Sequence, residues 1–116
     1  MATLTRIQFP EEPDVLDIDA HASSVAAGAG GDQFLNTGNT GFWIKNSSGG
    51  SITVTFAAQN DCNFGETHDA AVSVPNGTIG FIASRFSAQR FNDSSGYVQV
   101  TYSGVTSVTV AAVRLD

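Results

Sequence analysis

The chain has 116 residues and a formal net charge of −6, with 41% hydrophobic and 14% charged residues. This length fits a single domain, and an acidic chain with only five Lys and Arg residues excludes nucleic acid as a partner. The single cysteine, Cys62, excludes an internal disulfide. No apolar run approaches the roughly eighteen residues of a membrane span. Met1 is not followed by a basic and apolar leader, so we expect synthesis in the cytoplasm.

Residues 1–30 differ in composition from the rest of the chain. Thr3 to Phe9 alternate weakly, which predicts a strand or an extended arm that ends at Pro10. Residues 11–19 contain five of the eleven acidic residues, and the glycines within residues 21–31 disfavour a helix. We predict either a loosely ordered terminus or an arm that becomes ordered against a neighbouring subunit. A β-sandwich domain follows over residues 31–116.

The first part of this domain contains short alternating segments. Residues 32–39 predict a short strand that ends in a turn. In residues 41–46, Phe42 and Ile44 fall on one face of a strand, and Trp43 and Lys45 fall on the other. The turn sequence at 47–50 predicts a hairpin with residues 51–57, whose inward side chains are Ile52, Val54 and Phe56.

The second part begins with a polar loop at 58–69. Residues 70–74 and 78–82 predict two strands joined by a tight turn, and residues 84–92 predict one helical turn. Residues 97–103 and 107–115 alternate with a period of two, which places Val98, Val100 and Tyr102 on one face. About eight strands with close turns predict an all-β fold. We expect a single antiparallel β-sandwich or a jelly-roll-like barrel with an extended N-terminal arm.

Motifs for catalysis or metal binding are weak. One loop contains Asp61, Cys62, Glu66, His68 and Asp69, but the paired Cys or His ligands of a zinc site are missing. Residues 92–96 lack the acidic pattern of a calcium loop, and the glycines at 28–31 lack the Lys of a phosphate loop. No Gly-x-Ser-x-Gly sequence marks a nucleophile. We therefore expect no enzyme activity, no cofactor and no metal.

Trp43 is the residue for which a functional interpretation competes with a structural one. If Phe42 and Ile44 face the core, Trp43 faces away from it. Either a terminal segment covers this side chain, or it anchors an interface. Phe86 and Phe91 raise the same question.

Four stretches carry a family resemblance: Gly31-Asp32-Gln33-Phe34 through Asn39-Thr40-Gly41, Trp43-Ile44-Lys45-Asn46, Ser51-Ile52-Thr53-Val54-Thr55, and Arg90-Phe91-Asn92-Asp93 through Val110-Ala111-Ala112. Together, residues 31–115 resemble a family of small virion β-proteins of tailed bacteriophages, similar to capsid decoration, or cement, proteins. The acidic stretch at 11–19 and the loop with Cys62 lie outside the resemblance.

The resemblance implies a protein without an active site that is located in the virion. It implies binding to the outer surface of the major capsid protein shell, often as a homotrimer. The expected contacts are the N-terminal arm and the face that carries Trp43. The candidate interface residues are Thr3, Leu4, Ile7, Phe9, Trp43, Phe86 and Phe91.

Besides enzyme activity, two alternative functions remain open. One is another virion role, as a head fibre, tail or adaptor subunit, for which the fold argument is the same. The other is a carbohydrate-binding module that uses Trp43 as a stacking platform.

Overall fold

The computed structural model describes residues 2–59, 69–82 and 86–114. These residues form ten strands and one short helix. In chain order they are β1 (Ala2–Leu4), β2 (Ile7–Gln8), β3 (Val25–Ala26), β4 (Asp32–Leu35), β5 (Thr40–Asn46), β6 (Ile52–Phe56), β7 (Ala70–Val74), β8 (Ile79–Ile82), α1 (Ala88–Phe91), β9 (Tyr97–Tyr102) and β10 (Val108–Arg114).

The strands form two five-stranded sheets. Sheet A has the order β1-β4-β9-β6-β7; sheet B has the order β2-β10-β5-β8, with β3 also paired to β10. The predicted all-β sandwich is confirmed, but the sheets are mixed rather than purely antiparallel. β1 pairs parallel to β4, and β2 pairs parallel to β10. Residues 2–8 therefore add a strand to an edge of each sheet, and the N-terminal segment belongs to the same fold.

The predicted hairpin between residues 41–46 and 51–57 is wrong. β5 pairs with β10 and β8, whereas β6 pairs with β7 and β9, so the turn at 47–50 crosses from sheet B to sheet A. The turns after β7 and β9 also cross between the sheets. A Gly-rich turn permits a sharp reversal but does not specify the partner of the next strand.

Buried Asn46 holds two of these crossings together. Its side-chain Nδ2 donates to the carbonyl oxygens of Gly50 and Val74, each at 3.0 Å. Its backbone N–H donates to the Thr78 carbonyl at 2.9 Å, and its carbonyl accepts from the Gly77 N–H at 2.8 Å. Because these bonds satisfy a buried amide, they fix the turns before β6 and β8 at one end of the sandwich.

The inner faces of the sheets follow the predicted alternation. Phe42 and Ile44 of β5 and the residues Ile52, Val54 and Phe56 of β6 are buried in one core. Five phenylalanines pack across this core with ring centroids 4.9 to 5.9 Å apart: Phe34, Phe42, Phe56, Phe86 and Phe91. The predicted helical turn is α1, and it ends at the buried Phe91.

Gly31, in the glycine-rich segment before β4, occupies a position that requires glycine. Its φ is +91°, and a Cβ built on it would lie 2.6 Å from the Val100 carbonyl oxygen. A residue with a side chain is strained in this conformation and collides with the backbone of β9. Glycine at this position therefore allows the chain to enter sheet A.

Phe42→Ala tests the central role of the aromatic cluster. Because the ring contacts Phe34 and Phe56, we expect the free energy of unfolding to fall by about 3–5 kcal/mol. Urea unfolding followed by circular dichroism measures this change. The control is Thr53→Ala, which changes an exposed side chain of β6 and is expected to change stability by less than about 0.5 kcal/mol. Equal effects of the two substitutions would contradict the assignment of the core.

Candidate interaction surface

The outer face of sheet B is apolar, which is unusual for a sandwich. Trp43 of β5 lies beside Ala111 of β10 on one side and Phe81 of β8 on the other. β5 and β10 are buried on both faces. An outer face of this kind needs a second layer to exclude water from it.

The second layer is a strap, defined here as residues 9–20. Leu16 and Ile18 of the strap pack against a cluster on the sheet that consists of Ile7, Trp43, Ala111 and Val113. Trp43 is only 4% exposed, and the Asp19 carboxylate accepts a hydrogen bond from Lys45 Nζ at 2.8 Å. Of the two alternatives for Trp43, cover by a terminal segment is therefore confirmed.

The seven candidate interface residues are largely internal. Leu4, Ile7, Trp43, Phe86 and Phe91 are buried within the chain. The N-terminal segment and the two sheets use these five side chains to fill their own interior, and their role in an interface stays a prediction. Thr3 stays exposed and accepts a hydrogen bond from Gln33 Nε2 at 2.8 Å. Phe9 is 43% exposed.

Other apolar residues that face solvent were not predicted from the sequence. Ile79 and Phe81 of β8 are 63% and 48% exposed, and Val15 of the strap is 90% exposed. The signal for β8 was present in the alternation of residues 79–82, where Ile79 and Phe81 share the face that carries Trp43 and Lys45. The sequence alone does not show which face of this strand is exposed, because it does not reveal the strand's partner in the sheet.

A cleft of about 340 Å³ lies between the strap and β8. The described residues that form its apolar wall include Phe9, Leu16, Ile18 and Phe81, and its charged lining consists of Glu12 and Asp14. The cleft therefore combines an apolar floor with negative charge. This arrangement suits a partner that carries apolar and basic groups.

The outer face of sheet A is polar and hydrogen-bonded. Gln99 Nε2 donates to Gln33 Oε1 and to Asp93 Oδ2, at 2.8 and 2.9 Å. Asp93 Oδ1 accepts from the backbone N–H groups of Tyr97 and Ser95, at 3.0 and 2.9 Å. These bonds, led by that from Tyr97, hold the pKa of Asp93 below its ordinary value. Asp93 therefore fixes the turn that leads into β9.

Asp32 is a buried carboxylate that connects β9 to the loop before β4. Its Oδ2 accepts from the Tyr102 hydroxyl at 2.8 Å and from the Gly28 N–H at 3.0 Å. Burial raises the pKa of Tyr102, and the hydrogen bond to Asp32 and its charge raise it further. A Cβ on Gly28 would lie 2.8 Å from Asp32 Oδ1, so this contact requires glycine at residue 28.

The possible metal loop identified from the sequence lies almost entirely outside the described residues, which include only Asp69 of its five members. Asp69 Oδ1 accepts a hydrogen bond from the Ala58 N–H at 2.8 Å. Across the described ranges, no group of three or more His, Cys, Asp or Glu side chains is arranged to hold a metal ion. The same ranges contain no helix with the length and apolar character needed to cross a membrane.

Comparisons with known proteins give no relative. No known protein family matches the chain, and neither a curated protein nor a solved structure matches it significantly.

Removing the apolar contacts of the strap tests the cover over Trp43. In the double variant Leu16→Ala with Ile18→Ala, we expect the tryptophan fluorescence maximum to shift to longer wavelength, because water reaches the indole. The chain has one tryptophan, so the emission spectrum reports on this site alone. Val15→Ala is the matched control, because Val15 lies in the same strap but is exposed. An unchanged spectrum in the double variant would show that the strap does not cover Trp43.

Asp93→Asn tests the structural role of the Asp93 charge. A carboxyl group whose pKa is lower in the folded state stabilises the fold above its unfolded pKa, near 3.8. This stabilisation is lost as the pH falls through the lower, folded value. We expect the wild-type free energy of unfolding to fall more steeply below about pH 4 than that of the variant. Urea unfolding at a series of pH values measures both slopes.

The control for this experiment is Asp14→Asn, which changes the net charge equally. Its carboxylate accepts one hydrogen bond, from the N–H of the adjacent Val15, whereas Asp93 binds the backbone of its turn and Gln99. Parallel pH profiles for wild type and Asp93→Asn would contradict the role assigned to Asp93.

Proposed function

We propose that this chain is a non-catalytic structural component of a tailed-bacteriophage virion, a capsid decoration protein that binds the outer surface of the major capsid shell. The proposal combines the strand-and-turn resemblance of residues 31–115 with the construction of the sandwich. β4, β5, β6, β9 and β10, which carry most of the resembling residues, form the centre of both sheets.

The observation that carries the proposal is the way in which the N-terminal segment joins the two layers. β1 extends sheet A, β2 extends sheet B, and only Thr5 and Arg6 lie between them. Separating the sheets therefore requires that this segment leave at least one of them. A small domain reinforced in this way suits a protein that must stay folded on a shell under outward pressure.

The parallel pairing of β2 with β10 resists the sliding of one strand along the other. Ile7 lies opposite Val113, and Gln8 lies opposite Arg114. Once β1 has separated from β4, opposite forces on Ile7 and Arg114 pull these parallel strands past each other rather than opening the ladder one bond at a time. The hydrogen bonds of the pair then share the load.

Three acidic side chains among the described residues make contacts within the chain, and these contacts also support a structural role. Asp32 binds Tyr102 and the loop before β4, Asp93 fixes a turn, and Asp19 ties the strap to Lys45. Trp43 is buried and offers no stacking platform, which removes the reason for considering carbohydrate binding. The net charge of −6 also keeps such a protein from adhering to the nucleic acid that the shell contains.

Quantitative mass spectrometry of purified virus particles that encode this chain tests the proposal. We expect a copy number close to that of the major capsid protein, because many weak contacts on a repeating shell combine through avidity. A few copies, or a few dozen, would instead indicate a fibre, tail or adaptor subunit. Complete absence from the particles would overturn the virion role.

A further inference from the structure

We propose that the outer edge of β8 is a docking site for an extended protein segment that alternates apolar and basic residues and adds to sheet B as a further strand. The proposal is independent of the virion role, because it concerns how the surface binds a segment and not where the partner is found.

Within residues 2–59, 69–82 and 86–114, no strand pairs with the backbone of β8 along this edge. β8 ends the strand order of sheet B, and the described residues place no strand beyond it. On its inner side, the Asn46 N–H donates to the Thr78 carbonyl. Since hydrogen-bonded pairs alternate in an antiparallel ladder, Gly80 and Ile82 bond to β5, and the N–H and C=O groups of Ile79 and Phe81 face outward.

The side chains of β8 do not protect the edge. Sheet edges usually carry charges, prolines or bulges that prevent further pairing. β8 has the sequence Ile-Gly-Phe-Ile, and its two outer-face side chains, Ile79 and Phe81, are large, apolar and exposed. By contrast, β7 ends sheet A with the small exposed side chains of Ala71 and Ser73.

Clefts lie on both faces of this edge. The first is the 340 Å³ cleft between the strap and Phe81. The second, of about 250 Å³, opens between the sheets, and its lining includes Ile44, Val72, Val74 and Ile82. Successive side chains of a strand point to opposite faces, so a strand added beside β8 would direct alternate side chains into the two clefts.

Charge decides the kind of segment that fits. The cleft on the strap side is lined by Glu12 and Asp14, within a stretch that contains five acidic residues between positions 11 and 19. Lys45, the cation at the base of the strap, is paired with Asp19. A second copy of this chain would bring its own acidic strap to the edge and be repelled. A basic segment gains attraction from the same carboxylates.

The test uses the purified full chain and a synthetic heptapeptide that alternates lysine with valine, blocked at both ends and labelled with a fluorophore. We expect saturable binding in fluorescence anisotropy. Replacing lysine by glutamate in the peptide is expected to abolish binding, because the charges then repel. Methylating the peptide nitrogens that face β8 is expected to weaken binding by about tenfold or more, because the hydrogen bonds of the added strand are lost.

Matched variants of the protein locate the site. Ile79→Pro removes an outward N–H and is expected to weaken binding by about tenfold; Ile79→Thr keeps this N–H and is expected to cost less than about threefold. Glu12→Gln combined with Asp14→Asn is expected to weaken binding by about threefold at low salt. This effect should shrink in about 1 M salt, where charges are screened within roughly 3 Å.

Several results would overturn the proposal. These are no binding of the lysine–valine peptide up to about 1 mM, equal binding of the glutamate peptide, or equal binding of the N-methylated peptide. The methylated peptide keeps the test decisive if Ile79→Pro fails to fold, because it leaves the protein unchanged. A concentration-dependent dimer in analytical ultracentrifugation that Ile79→Pro abolishes would assign the edge to a second copy and would also overturn the proposal.

Discussion

The position of the N-terminal segment depends on one interaction, the burial of Trp43 on the outer face of sheet B. Burying an aromatic side chain of about 150–250 Å² contributes roughly 4–6 kcal/mol as an upper bound. The partly exposed Lys45–Asp19 pair above it contributes only about 0–1 kcal/mol. Apolar packing, rather than the ion pair, therefore holds the strap in place. The acidic residues of the strap remain at the surface, where they set the charge of the neighbouring cleft.

The sequence predicted strands and their faces better than it predicted their partners. The alternation in β5, β6 and β9 identified the inward residues correctly, because successive side chains of a strand point to opposite faces. The same local pattern does not reveal that β5 and β6 lie in opposite sheets. That information resides in long-range contacts, such as the bond from the buried Asn46 side chain to Val74. An asparagine before a Gly-rich turn has the same appearance in a hairpin and in a crossing.

For the candidate surface, the sequence identified the important residue but not its environment. Alternation placed Trp43 away from the core, and its cover, Leu16 and Ile18, lies more than twenty residues earlier in an acidic segment. Two apolar residues among many carboxylates give no strong amphipathic signal. Phe86 stands in a stretch where the strand pattern is interrupted, so its place in the aromatic cluster depends on tertiary packing. The exposed side chains of β8 became identifiable only once its neighbours were known.

The position of β10 in sheet B has a consequence for biosynthesis. β10, the last strand of the described residues, lies between β5 on one side and β2 and β3 on the other, so sheet B cannot close until β10 has left the ribosome. At about 5–20 residues per second, β5 is made several seconds before its central neighbour exists. During that interval β5 has only β8 to pair with, and its apolar residues are open to aggregation or chaperone binding. Closure of sheet B therefore waits for the synthesis of β10, and truncation within β10 would leave sheet B without its centre.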